Sequence, residues 1–269
     1  MNRDEHITYI NSRLIDLLKE VVCTANHLGN GMEANMVNGY LLQSLFLQMT
    51  GAQEQKMKCI CWELATDDLV YRYKRYYDGW SLSQCSTLKD KSHVYEDLLA
   101  AIHKVDQAYE LFHDNPTKQT FINNVFSSVC EIFDNSNIVV FHKKKYSEFK
   151  TFFTHLNVSN LTPSNKLLFK NGNKDFPISK VTADTEMFAV YSLLYKLRNR
   201  CAHNTPSYQL NLPSLKELRD SKYQKYDNIF IFYATLVIID EIFRHQVYRC
   251  FEIHSIIPEI NQRYPFGET

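Results

Sequence analysis

Apolar residues recur every three to four positions along most of this chain, while the residues that build tight turns are scarce. Seven glycines and seven prolines in 269 residues cannot supply the many turns that join the strands of a β-sandwich. Long stretches of helical period point the same way. The expectation is an all-α protein, a helical bundle large enough for one domain or two small ones. With 45% apolar and 22% charged residues, it can bury an ordinary globular core.

The period places the helices. Ile7, Ile10, Leu14, Leu17, Leu18, Val21 and Val22 predict an amphipathic helix over 4–28, broken by Gly29-Asn30-Gly31. Further helices are expected over 33–50, 53–77, 92–113 and 118–133, with Asn115-Pro116 closing the fourth. Ile138–Phe141 reads as a short strand or the start of a helix, and 143–156 as a helix. Residues 157–181 lack a period and read as a long surface loop. A helix over 183–203 follows, with Thr182 as its N-cap and Asp184 and Glu186 in its first turn. A connection over 204–223, with a short helix at 214–220, leads to a last long helix over 226–254. The division is an N-terminal helical region 1–141, a basic connecting segment 142–181 and a C-terminal pair of helices 182–269, with one continuous domain left open.

The formal charge is zero but unevenly spread. Residues 1–141 carry 12 Lys/Arg against 18 Asp/Glu, whereas 142–180 carry 8 Lys against 2 acids. That basic segment is the feature a polyanion would meet. Seven irregularly spaced cysteines follow a polar, amphipathic N-terminus, so reduced thiols in the cytoplasm are expected. The most apolar run, Ile229–Ile239, is too short to span a bilayer, so no membrane association is expected.

One run carries candidate chemistry: Arg198-Asn199-Arg200-Cys201-Ala202-His203, at the end of the stripe Met187, Val190, Tyr191, Leu194, Leu197, Cys201. Arg198 falls on that stripe, where a sealed guanidinium without a partner is costly. Either a carboxylate satisfies it within the bundle, or the stripe opens there into a cleft or subunit interface. His203 lies about 140° from Arg198 around an ideal helix, so the two converge only if the helix end unwinds or a second chain supplies the partner. Pro206 disfavours helix at Thr205, which predicts unwinding near His203. The helix C-terminus raises the pKa of an imidazole and the neighbouring arginines lower it, leaving a group that titrates near neutrality.

This run resembles the R-x4-H signature of the HEPN superfamily, including the polar residue directly after the Arg. The resemblance is strongest over about 183–254. It implies a HEPN-like helical core with additional N-terminal helices, and a homodimer in which two motifs meet in one composite site. It also implies a metal-independent endoribonuclease of the toxin or antiphage-defence type, with no cofactor. In such a site His203 moves protons, Arg198 holds the scissile phosphate and Asn199 orients one or the other. RNA is the implied substrate, with an antitoxin or regulatory protein as a further partner. The alternative is a catalytically silent HEPN-like module that binds a partner or regulates it.

Arg200, Lys143, Lys144, Lys145 and Lys170 are candidate RNA contacts, the lysines through the phosphate backbone. Phe149, Phe152, Phe153 and Phe169 lie among the lysines and can stack on bases or form a core beneath them. No metal is expected: Cys59-x-Cys61 lacks zinc-knuckle spacing, and His93, His103 and His113 do not share a helical face. Tyr71-Arg72-Tyr73-Lys74-Arg75-Tyr76-Tyr77 alternates cation and aromatic, which suits a nucleic-acid contact or a face of snorkelling cations.

Overall fold

A computed structural model describes residues 3–29, 31–77, 85, 88–112, 114–156, 186–203 and 227–263. The described residues are almost entirely helical, with no strand among them: α1 (Arg3–Asn11), α2 (Leu14–Asn26), α3 (Met32–Asp67), α4 (Leu69–Tyr77), α5 (Leu88–His103), α6 (Asn115–Asp134), α7 (Asn137–Phe141), α8 (Lys143–Thr154), α9 (Glu186–His203) and α10 (Ile229–Arg263). The all-α bundle is the fold that the spacing predicts.

Two long helices organise it. Every residue of α10 from Phe230 to Asp240 is buried, and a helix apolar on all sides belongs at the centre of a bundle. The run too short to cross a membrane is therefore the core, ringed by α2, α3, α5, α6, α8 and α9. No described helix is long and apolar enough to cross a bilayer. The other organiser, α3, has 36 residues and so runs about 54 Å, touching α1, α2, α4, α5, α7, α9 and α10. Aromatic rings knit the centre: Phe133 meets Phe230 edge to face at 4.9 Å, and Tyr233 donates to the Leu42 carbonyl at 2.6 Å.

Several boundaries differ from the sequence reading. The helices expected over 33–50 and 53–77 are one helix as far as Asp67, because Met49, Thr50 and Gln53 around Gly51 are buried in the packing. The cost of a mid-helix glycine, about 1 kcal/mol, is smaller than the burial of those neighbours. Asp68 then ends α3 and caps α4, accepting from the Val70 and Tyr71 amides. The helix expected over 4–28 is interrupted at Ser12-Arg13. There the Ser12 carbonyl accepts from Lys56 and the Leu14 amide donates to Asp240. Lys56 and Asp240 form a buried ion pair at 2.6 Å, and the interruption lets backbone groups complete its shell. Burial pushes the Lys56 ammonium and the Asp240 carboxyl each toward its neutral form, against their mutual attraction. Asn115-Pro116 opens α6 rather than closing a helix: Asp114 accepts from the Thr117 amide, and Pro116 occupies the first turn, where its missing N–H costs nothing. The Ile138–Phe141 stretch is helical. The connecting segments 157–181 and 204–223, with the short helix at 214–220, lie outside the described residues.

Candidate functional site

The outer end of α9 holds the Arg-x4-His run. Met187, Val190, Tyr191, Leu194 and Cys201 bury its stripe against α3, α5 and α10. Arg198 continues the stripe but is not sealed: its side chain is 27% exposed. Of the two ways of satisfying it, the carboxylate within the bundle is present, at the edge that the stripe reaches. Arg198 donates through Nη2 to Glu54 Oε2 at 3.2 Å and through Nη1 to Asn199 Oδ1 at 3.1 Å. Glu54, on α3, accepts also from Lys58 Nζ at 3.0 Å.

A third cation completes the surroundings. Lys91, near the start of α5, is buried and donates to the Cys85 carbonyl at 2.7 Å. Burial pushes its ammonium down to about 8; Glu54 opposes that shift and Arg198 adds to it. Three cations thus share the neighbourhood of Glu54. Beneath them Tyr191 is fully buried and donates to Gln53 Oε1 at 3.2 Å, and burial holds its phenol far above the ordinary range. Cys61 and Cys85 are buried and hydrogen-bond thiol to thiol. That bond holds the Cys61 thiol well above its ordinary value and draws Cys85 below. All seven cysteines are free.

The other candidates are dispersed. Asn199 and Arg200 are half-buried beside Arg198, and Arg200 acts on Cys201, whose thiol burial pushes up. The helix runs unbroken to His203, where unwinding is expected from the sequence. Positions 198 and 203 therefore stay about 140° apart on one helix; the His203 side chain lies outside the described residues, as do Lys170 and Phe169. Lys143, Lys144 and Lys145 are exposed in the first turn of α8. Phe149 and Phe153 below them are buried, stacking with Phe126 in the core, so neither offers a face to a base. The lysines remain as bare charges above it.

Glu54, Lys58 and Lys91 carry no sequence signal that joins them to Arg198. Glu54 and Lys58 have i,i+4 spacing, but their link to α9 spans 144 residues. A cavity of about 500 Å3 lies where α4 and α5 meet the end of α3. Its carboxylates are engaged: Asp97 takes Arg75 and the Tyr71 hydroxyl, and Asp68 takes Lys104. Among the described residues no three His, Cys, Asp or Glu side chains gather as a metal site requires. Compared with family models, with curated proteins and with solved structures, the chain matches none.

Proposed function

We propose that the chain is a metal-independent endoribonuclease of the HEPN type, working as a homodimer in a toxin or antiphage-defence setting. The reading is carried by Arg198: a guanidinium 27% exposed at the end of a packing stripe, where it and Lys58 pair with Glu54 and Lys91 lies within the field of that carboxylate. That excess of positive charge attracts a phosphate, and a forked guanidinium suits two of its oxygens. The reaction is an internal transesterification. The RNA 2′-oxygen bonds to the adjacent phosphorus as its proton passes to a base, and the bond to the 5′-oxygen breaks as that oxygen takes a proton. The products are a 2′,3′-cyclic phosphate and a 5′-hydroxyl. His203 serves as the proton carrier, Arg198 neutralises charge gathering on the phosphate, and Asn199 keeps Arg198 oriented. DNA, without a 2′-hydroxyl, is not cut. Two copies are required because one helix holds positions 198 and 203 on different sides.

A second reading has an observation in its favour. Arg198 is already paired with Glu54, as befits a structural arginine in a silent module that binds or regulates a partner protein. Incubating the chain with RNA in EDTA, beside Arg198→Ala and His203→Ala, separates the two. Cleavage that survives EDTA, leaves cyclic-phosphate ends and vanishes in both variants is the expected result. Absence of cleavage on every RNA tested, with both variants still binding a partner protein, establishes the silent module instead.

A further inference from the structure

Nine residues from Leu69 to Tyr77 contain four tyrosines, three cations and no acid, and α4 sorts them onto two faces. One is an anchor: the Tyr71 hydroxyl donates to Asp97 at 3.1 Å, and Arg75 pairs with the same carboxylate. The other is bare. Tyr73 and Tyr77 are 68% and 76% exposed, and their rings stack on each other at 6.0 Å and 22°. Arg72, whose Nε donates to the Ala65 carbonyl at 2.7 Å, and Lys74 flank them, both exposed. Among the described residues no carboxylate pairs with either cation. At the junction of α3 and α4, Asp68 is taken by Lys104 and by the α4 amides, and Asp67 by Arg3 at 2.8 Å.

The preceding helix carries exposed groups of its own between α4 and the level of Arg198. Glu54, Lys58 and Trp62 follow at steps of four on α3, within about 80° of one another around its axis. Trp62 is 56% exposed and sits about 12 Å along the helix from Glu54, with the start of α4 roughly 10 Å farther. Along the chain from the level of Glu54, α3 presents a cation and an exposed indole, and α4 then presents a stacked tyrosine pair between two cations. Large aromatics on a protein surface are costly unless something covers them, and this set suits unpaired bases on a charged backbone. A duplex, whose bases are already stacked, offers these rings nothing.

We propose that the outer face of α3 and α4, from Lys58 through Trp62 to Tyr73 and Tyr77, is a track that binds single-stranded RNA by base stacking and leads it to Arg198. The choice of RNA over another partner rests on the ribonuclease reading; the track specifies the form of the substrate.

The probe is a fluorescent, fully 2′-O-methylated single-stranded RNA, which 2′-oxygen attack cannot cut, titrated with the full chain. In a Trp80→Phe background, where Trp62 is the remaining indole, binding quenches the tryptophan fluorescence, and Tyr73→Ala with Tyr77→Ala weakens affinity by roughly tenfold or more. Tyr73→Phe with Tyr77→Phe retains it, and affinity for duplex RNA is insensitive to both changes. Equal affinity of the alanine double variant and the native chain overturns the track. So does a change in oligomeric mass without a change in RNA affinity, which assigns the face to a second copy. Tyrosine-dependent binding in a chain that cuts no RNA leaves the track standing and removes the nuclease reading. Arg198-dependent cleavage with tyrosine-independent binding does the reverse.

Discussion

Replacing Lys91 with methionine should make the protein more stable, and only over part of the pH range. Burial lowers the Lys91 ammonium from 10.5 to about 8. A difference of that size amounts to about 3 kcal/mol between folded and unfolded chains. Lys91 is 3% exposed, so solvent screening does not discount it. The folded chain holds this proton more weakly than the unfolded chain, so stability rises with pH between about 8 and 10.5. Below that window the ammonium is charged in both states and the full penalty applies. Above it both states are neutral and the penalty disappears. Methionine matches the length of the stem without the charge, but leaves the buried Cys85 carbonyl without its donor, at a cost of about 1 kcal/mol. Lys91→Met should then gain about 2 kcal/mol at pH 7, or roughly 4 to 8 °C in Tm. Urea denaturation of both proteins at several pH values between 7 and 10.5 measures it. Thiols and phenols remote from Lys91 affect both proteins alike, and Cys85, whose thiol Lys91 draws down, is replaced by serine in both so that the difference isolates Lys91. A variant less stable than the parent at pH 7, or an advantage that fails to shrink toward pH 10.5, refutes the argument.

Asp240→Asn leaves the Lys56 ammonium buried without its carboxylate and should cost about 3–5 kcal/mol in denaturant titrations. The double change Lys56→Met with Asp240→Leu should recover most of that loss, short of about 1 kcal/mol for each of the Ser12 and Leu14 backbone groups left without partners. Asp114→Ala removes the cap on the Thr117 amide and should cost about 1 kcal/mol, read as a lower Tm with unchanged RNA affinity.

The sequence made the fold class legible because period and scarcity of turn residues are local properties. Met187, Val190, Tyr191 and Leu194 are buried, as their spacing predicts. The errors fall where a distant residue overrides a local signal. The helices expected over 33–50 and 53–77 run together through Gly51 because both of its flanks are packed. Ser12-Arg13 carries no break signal, yet the chain breaks there to reach Lys56 on α3 and Asp240 on α10. Asn115-Pro116 carries a true boundary signal whose direction depends on Asp114 acting as cap. The Tyr-rich run reads as a nucleic-acid contact or a face of snorkelling cations, and neither reading contains the anchor: Asp97, on another helix, takes Tyr71 and Arg75 and leaves Tyr73 and Tyr77 outside.

Arg198 shows the same division between local and distant information. Its place on an apolar stripe is visible in the sequence, and the physical problem of a guanidinium there follows directly. Its solution is supplied 144 residues away by Glu54, which is only 17% exposed and also serves Lys58. One carboxylate serves Arg198, Lys58 and Lys91 together; at Lys91 burial does most of the lowering, Glu54 opposes it, and Arg198 adds a smaller repulsion. An anion arriving at Arg198 relieves that repulsion without displacing Glu54, because a guanidinium has donors enough for both. The pairing that makes Arg198 look structural is therefore compatible with a phosphate site. The ion pair positions the fork, and the surplus cations leave it attractive to a further negative charge.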